Sequence, residues 1–183
     1  MTHKYVKTEV FMGSHLSKFY DDMLKGNQIK ELVKVLLEKS GYLVLPYGYE
    51  STLSDIKRKL NARDARNSRT ARRLRSTPDL LVYDDKRKDA MLVEVKMRNA
   101  PKETKILIYP KLVRRIKQFW SDCLLVIVIP SGDVFYAQRI TEFETKEAYN
   151  ATKDFEKFEH IFTRVKAENL SSYRDEALKI MKK

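Results

Sequence analysis

Apolar residues recur at helical spacing in two adjacent stretches near the start of the chain. The first stretch predicts a helix that Ser14 caps and that ends at Gly26; its apolar members are Leu16, Phe19, Tyr20, Met23 and Leu24. The second predicts a helix that Asn27 caps and Gly41 closes; its apolar members are Ile29, Leu32, Val33, Leu36 and Leu37. The segment YLVLPYGY then predicts a strand ending near Pro46.

Short apolar segments in the middle of the chain predict strands. PDLLVYDDKRKDAMLVEVKMR, residues 78–98, is typical of two strands joined by the polar turn DDKRKD. They are followed by the short apolar segment KILIY and by a helix from about Lys111 to Ser121. Two further strands come next, LLVIVIP and VFYAQRI. From Thr141 onward we expect a polar helical extension whose apolar stripe is Phe155, Phe158, Phe162 and Val165.

This order of elements predicts an α/β fold, with a central mixed β-sheet flanked by helices and with N- and C-terminal helical extensions. No Gly/Ser/Pro linker and no internal repeat divides the sequence, so we expect one domain over 1–183. Its core spans about 27–140, a basic insert spans 55–75, and the C-terminal extension spans 141–183.

The net charge adds a class of partner to this picture. The chain has 37 Lys and Arg against 25 Asp and Glu, a net charge of +12. This surplus favours a protein that binds nucleic acid over a basic protein that has no polyanionic partner. The insert forms either a helix with arginines along one face or an arm that orders on binding. We expect DNA contacts from Arg58, Arg63, Arg66, Arg69, Arg72, Arg73 and Arg75, extended by Lys111, Arg114, Arg115 and Lys117.

Several classes of protein are excluded or disfavoured. Cys123 is the only cysteine in the sequence, so an internal disulfide and a zinc site of paired cysteines are excluded. The first residues lack a signal-peptide core, and the longest apolar run, CLLVIVI, is too short to cross a bilayer. No Gly-rich phosphate loop is present. We therefore expect a cytoplasmic protein that does not associate with a membrane and does not use a nucleotide cofactor.

Three charges lie where the strands should pack. Glu94 and Lys96 interrupt the apolar run AMLVEVKM, and residues two apart on a strand point to the same face. A regular hairpin centred between Lys86 and Arg87 places Asp79 opposite Glu94. Two facing carboxylates repel unless a positive charge lies between them, and Mg²⁺ commonly binds one or two carboxylates. The alternative is a surface ladder in which Lys96 merely neutralises both acids.

Pro78-Asp79, fourteen residues, then Glu94-Val95-Lys96 resembles the signature of the PD-(D/E)XK nuclease superfamily. Within it, GYLVLP, the basic loop and KILIYPKLVRRIKQFW are similar to archaeal Holliday junction resolvases. The resemblance implies a restriction-endonuclease-like core in which Asp79, Glu94 and the Val95 carbonyl ligate Mg²⁺ or Mn²⁺. Lys96 would orient or deprotonate the attacking water and stabilise charge on the phosphate.

The resemblance also implies a third carboxylate, from a glutamate on the first helix. Glu31 is the nearest candidate, but at about 100° per residue it points away from the apolar face of that helix. Glu50, just past the first strand and beside Ser51, is therefore the preferred catalytic candidate.

Three functions are compatible with these residues. The first is a Mg²⁺-dependent endonuclease on branched DNA, expected to be a homodimer because a four-way junction offers two symmetric strands. The second is a restriction- or repair-type nuclease on other DNA. The third is a DNA-binding protein of the same fold that has lost catalysis.

Overall fold

The computed structural model describes residues 6–48, 68–98, 105–129, 133–144 and 148–182. Its helices are α1 (Val6–Lys39), α2 (Arg69–Leu74), α3 (Pro110–Phe119), α4 (Ala151–Asp154), α5 (Phe158–Ile161) and α6 (Ala167–Lys182). Its strands are β1 (Leu43–Pro46), β2 (Leu80–Asp84), β3 (Asp89–Met97), β4 (Lys105–Leu107), β5 (Leu124–Val128), β6 (Phe135–Arg139), β7 (Ala148–Asn150) and β8 (Glu156–Lys157). Within these ranges no helix is both long and apolar enough to traverse a bilayer.

The first helix is continuous, and the break expected at Gly26 is wrong. Gly26 lies inside α1, and among the described glycines a left-handed backbone occurs only at Gly41, with φ 87°. Gly41 ends the helix as predicted: its N–H donates to the Glu38 carbonyl, while the Tyr42 N–H donates to the Leu37 carbonyl. A glycine inside a helix costs only about 1 kcal/mol, so it does not by itself end one.

The strands form a mixed sheet in the order β1-β2-β3-β5-β6-β8, and β4 pairs with β7 in a second small sheet. The pairs β1-β2, β2-β3, β5-β6 and β6-β8 are antiparallel, whereas β3 and β5 are parallel and are joined through α3. The fold class predicted from the sequence, a central mixed sheet flanked by helices, is confirmed.

Apolar layers cover both faces of the sheet. One layer packs the second half of α1 and the C-terminal segments against alternate residues of the strands, including Val93, Val95 and Val126. The other packs α3 and the β4-β7 pair against the opposite face of β5, at Leu125 and Ile127. Because β5 and the second half of β3 lie between two layers, a charged side chain there sits beside a core rather than in open solvent.

The C-terminal extension differs from the expected continuous helical stripe. Phe155, Phe158, Phe162 and Val165 are all buried, but they lie on short turns and on α5, and the long helix begins only at Ala167. Arg164 fixes this segment to the rest of the domain. Its guanidinium lies 5.1 Å from the centre of the Tyr42 ring and donates to Asp84 at the β2-β3 turn. The extension is thus part of the packed structure.

The two halves of α1 differ in burial. Ile29, Val33, Leu36 and Leu37 are completely buried, whereas Phe19, Tyr20, Met23 and Leu24 are exposed. At about 100° per residue the mean directions of the two sets differ by about 125°, so the two apolar stripes do not form one continuous face. The first half of α1 therefore does not extend the domain core.

This contrast predicts the effect of two leucine substitutions on one helix. L36A removes a side chain that is 0 % exposed and should lower the free energy of unfolding by about 3 kcal/mol. L24A removes one that is 57 % exposed and should cost less than about 0.5 kcal/mol. Urea denaturation of the two variants measures both values; equal losses would show that the first half of α1 is packed.

Candidate metal and nucleic-acid site

The β2-β3 hairpin brings the three predicted charged residues together. Leu80 pairs with Val93, which is the register predicted from the turn. Asp79 immediately precedes Leu80 and so follows the same register to Glu94. The Asp79 Oδ2 atom accepts a hydrogen bond from the Val95 N–H at 2.9 Å, which holds the carboxylate against the edge of β3.

Two ammonium groups contact the Asp79 carboxylate from different elements. Lys30 Nζ, on α1, lies 2.7 Å from Oδ1, and Lys96 Nζ, on β3, lies 3.9 Å from Oδ2. The carboxylate is therefore bound through one oxygen by a helix and through the other by the sheet.

The Lys96 ammonium lies at the meeting point of three oxygen atoms. Its Nζ is 2.5 Å from Glu94 Oε1, 3.2 Å from the Val95 carbonyl oxygen and 3.9 Å from Asp79 Oδ2. These oxygens belong to the three residues predicted to ligate a metal. A single cation thus faces all three oxygens. Its ion pairs with both carboxylates are also what the alternative expects, in which Lys96 neutralises the two acids, but Glu94 is buried rather than on an open surface.

Glu94 is the most deeply buried of these charged groups. The residue is 8 % exposed. Burial raises the pKa of its carboxyl group, the nearby Lys96 ammonium opposes that rise, and the negative charge of Asp79 adds to it. A nearby positive charge therefore stabilises the ionised form of this buried carboxyl group.

A cavity of about 380 Å³ opens over these side chains. It lies between α1, the end of β1, the start of β2, β3 and α3, and residues just after α2 complete its wall. Five basic and three acidic side chains line it: Lys30, Lys34, Arg75, Lys96 and Arg115, with Glu31, Asp79 and Glu94. An excess of cations around one buried and one partly buried carboxylate suits a ligand that brings phosphate groups.

The structure answers the question of the third carboxylate only in part. Glu31 lines the cavity, but its side chain is 63 % exposed and accepts a hydrogen bond from Lys34 at 2.8 Å, as expected for a solvated helix face. Glu50 lies outside the described residues. Within the described part of the chain, no three Asp, Glu, His or Cys side chains are grouped so as to hold a metal. The oxygen set there consists of two carboxylates and one backbone carbonyl.

The predicted arginine contacts fall into three groups. Arg58, Arg63 and Arg66 lie outside the described residues. Arg75 lines the cavity, and Arg69 and Arg72 are exposed on α2. Arg73 has a packing role as well, since its guanidinium lies 5.2 Å from the centre of the Trp120 ring at the end of α3. The described end of the basic insert is therefore anchored beside the cavity.

Sequence reasoning missed the contribution of α1 and underused that of α3. Lys30 follows the core residue Ile29, and nothing in the helical pattern marks it as a partner of Asp79. Arg115 was expected only as part of a phosphate track, yet it lines the same cavity as Asp79 and Glu94. Both reach the site through the docking of a helix on the sheet.

The chain was compared with known families, sequences and structures. No protein-family model matches it, and no curated protein matches its sequence. Among solved structures it is similar to Hjc, a Holliday junction resolvase from the archaeal hyperthermophile Archaeoglobus fulgidus, with a TM-score of 0.45 and 14 % sequence identity. The similarity covers 75 % of this chain and 94 % of that chain.

The contacts of Lys96 predict a coupled pair of substitutions. K96M removes the cation from two carboxylates and should lower the free energy of unfolding by about 2 kcal/mol, less than for a fully buried pair because Lys96 is partly exposed. Adding E94Q to K96M should recover at least half of this loss, because the uncompensated buried charge is gone. Chemical denaturation in EDTA measures both.

The matched control is K86M, which removes an exposed lysine from the turn of the same hairpin and should leave stability within about 0.5 kcal/mol. Additive losses in the K96M/E94Q double variant would contradict a direct interaction between the two side chains.

Proposed function

We propose that this protein is a divalent-metal-dependent endonuclease that hydrolyses phosphodiester bonds in DNA. The observation that carries the proposal is the convergence of Glu94, Asp79 and the Val95 carbonyl on one cation, the Lys96 ammonium, inside a basic cavity. A structural salt bridge needs no such opening and no surplus of cations around it.

The residues present fit Mg²⁺ or Mn²⁺. Both ions prefer oxygen ligands, and Mg²⁺ is often held by one or two carboxylates with water and phosphate oxygens completing its shell. Glu94 and Asp79 would supply the carboxylates and Val95 the carbonyl. A bound ion of this kind polarises a phosphoryl oxygen and lowers the pKa of a coordinated water.

The side chains around this oxygen set have separate roles in the proposal. Lys30 holds Asp79 Oδ1, so the carboxylate keeps its orientation when Lys96 turns from it towards a phosphate. As an ammonium, Lys96 then lies beside the charge that develops on the phosphoryl oxygens and can orient a water molecule; only as a neutral amine would it deprotonate that water. Arg75 and Arg115, across the cavity, add positive charge for the neighbouring phosphates.

We further propose that the substrate is branched DNA and that the active species is a homodimer. The cavity and its surroundings are strongly basic, which favours nucleic acid without selecting a sequence. A four-way junction presents two strands related by a two-fold axis, and a symmetric dimer matches them. Light scattering of the purified protein, alone and with a junction, would measure the number of chains in each complex.

A second candidate function is DNA binding without hydrolysis. It is favoured by Lys30, which occupies the α1 side of Asp79 where a further carboxylate would strengthen a metal site. In the described part of the chain only two carboxylates meet. A protein of this second kind binds junctions with a steep dependence on salt but does not cut them when Mg²⁺ or Mn²⁺ is added.

The proposed hydrolysis predicts the effect of an isosteric change at the site. D79N keeps the size of the side chain but removes a charge that faces the cation, so cleavage of labelled DNA should fall by about 100-fold or more. D89N makes the same change at an exposed position at the far end of the hairpin and should retain activity within about two-fold. Cleavage by D79N at the wild-type rate would contradict this site.

Metal dependence provides a second prediction. EDTA should abolish cleavage, and Mn²⁺ or Mg²⁺ should restore it. Isothermal titration should show that Mn²⁺ binds the wild type. It should bind E94Q, which loses one charged ligand, at least about 10-fold more weakly than the wild type. No binding by the wild type together with no cleavage would favour the second candidate function. A panel of four-way junction, fork, duplex and single strand then identifies the preferred substrate.

A further inference from the structure

A second groove, of about 720 Å³, continues from the cavity along the first turn of α3. The two share Lys96, Leu112 and Arg115 in their linings, so the groove adjoins the cavity at these side chains. The groove is lined by five basic side chains, and its described lining includes no acidic one. A polyanion leaving the cavity would meet only favourable charge there.

The floor of this groove is apolar and carries an exposed aromatic ring. Ile106 and Ile108 point into the core, so Leu107 and Tyr109, which alternate with them, point outward. Tyr109 is 72 % exposed, and its side chain makes no capping hydrogen bond to α3. Isolated exposed aromatics are ordinary, but this one shares its groove with five cations, one of which is the candidate catalytic lysine, Lys96.

We propose that Tyr109 is a stacking platform for an unpaired base of a DNA strand that passes through the candidate active site. This inference rests on the proposed function and narrows its substrate to DNA with unstacked bases next to the bond that is cut. In fully paired duplex both faces of each base are covered, so the ring has nothing to stack on. At a branch point the bases are exposed and can turn into the groove.

The surrounding cations would hold the phosphates on either side of that base. Lys111, Arg114 and Arg115 are exposed on the first two turns of α3, whose N-terminal end also favours anions. Arg98 lies at the end of β3, where its Nε donates to the Leu107 carbonyl at 3.1 Å and its Nη1 to the Met97 carbonyl at 2.8 Å. These two bonds hold the guanidinium of Arg98, which lines the same groove as Tyr109.

Binding without metal tests the inference, because no strand is cut in EDTA. We would measure fluorescence anisotropy at constant salt with two ligands of one sequence, a fork with unpaired bases and a complete duplex. Y109A should bind the fork about 5- to 100-fold more weakly than the wild type and bind the duplex within two-fold. Y109F keeps the ring and should bind both as the wild type does.

A control substitution separates stacking from charge. R114A removes a phosphate contact and should weaken fork and duplex by the same factor. A 2-aminopurine placed at the unpaired position should be quenched on binding to the wild type and Y109F but not to Y109A. The thermal midpoint of Y109A should match that of the wild type, because Tyr109 is exposed.

The outcomes also distinguish this inference from the proposed function. Equal binding of the fork by Y109A and the wild type, or an equal loss on fork and duplex, overturns the stacking role of Tyr109 whatever the cleavage assay shows. A second outcome is that Y109A binds only the fork more weakly and that the wild type cuts no DNA with Mg²⁺ or Mn²⁺. This result supports the stacking role of Tyr109 and contradicts the nuclease function.

Discussion

The pairing of β2 with β3 is the constraint on which the candidate site depends, because it determines where two negative charges meet. Leu80 lies opposite Val93, and Asp79 follows in the same register. A slip by one residue would turn Glu94 to the other face of β3, which is packed against α1 and the C-terminal segments. The apolar layers on both faces therefore hold the site in register, and the geometry of the acids is a by-product of core packing.

Much of the sheet and the centre of the site could be predicted from the sequence, since they depend on local properties. Alternation along a strand and the length of the polar turn together determine which residues of the hairpin face each other. That is why Asp79, Glu94 and Lys96 could be grouped without a structure. The end of α1 at Gly41 is equally local, because the chain there needs a left-handed residue.

The remainder depends on how distant elements dock. Gly26 looks like a helix end in the sequence, but its backbone is not left-handed and the helix continues through it. Lys30 reaches Asp79 only because α1 crosses the sheet at that end, and Arg115 reaches the cavity only because α3 lies on the other layer. Helical periodicity identifies the buried face of a helix, but it does not identify which residues of other elements lie beside that face.

The contacts of Lys30 and Lys96 bear on when such a site would bind a metal ion. Two amines balance two carboxyl groups, so the resting cluster is electrically neutral and the chain can fold without an ion. Under the proposed function, a divalent ion that enters leaves a surplus of positive charge, which a phosphodiester strand cancels. Ion and strand then raise each other's affinity by the same factor. The free protein would then bind the ion less tightly than the protein–DNA complex does, and the complete hydrolytic site would form mainly where the nucleic acid is already bound.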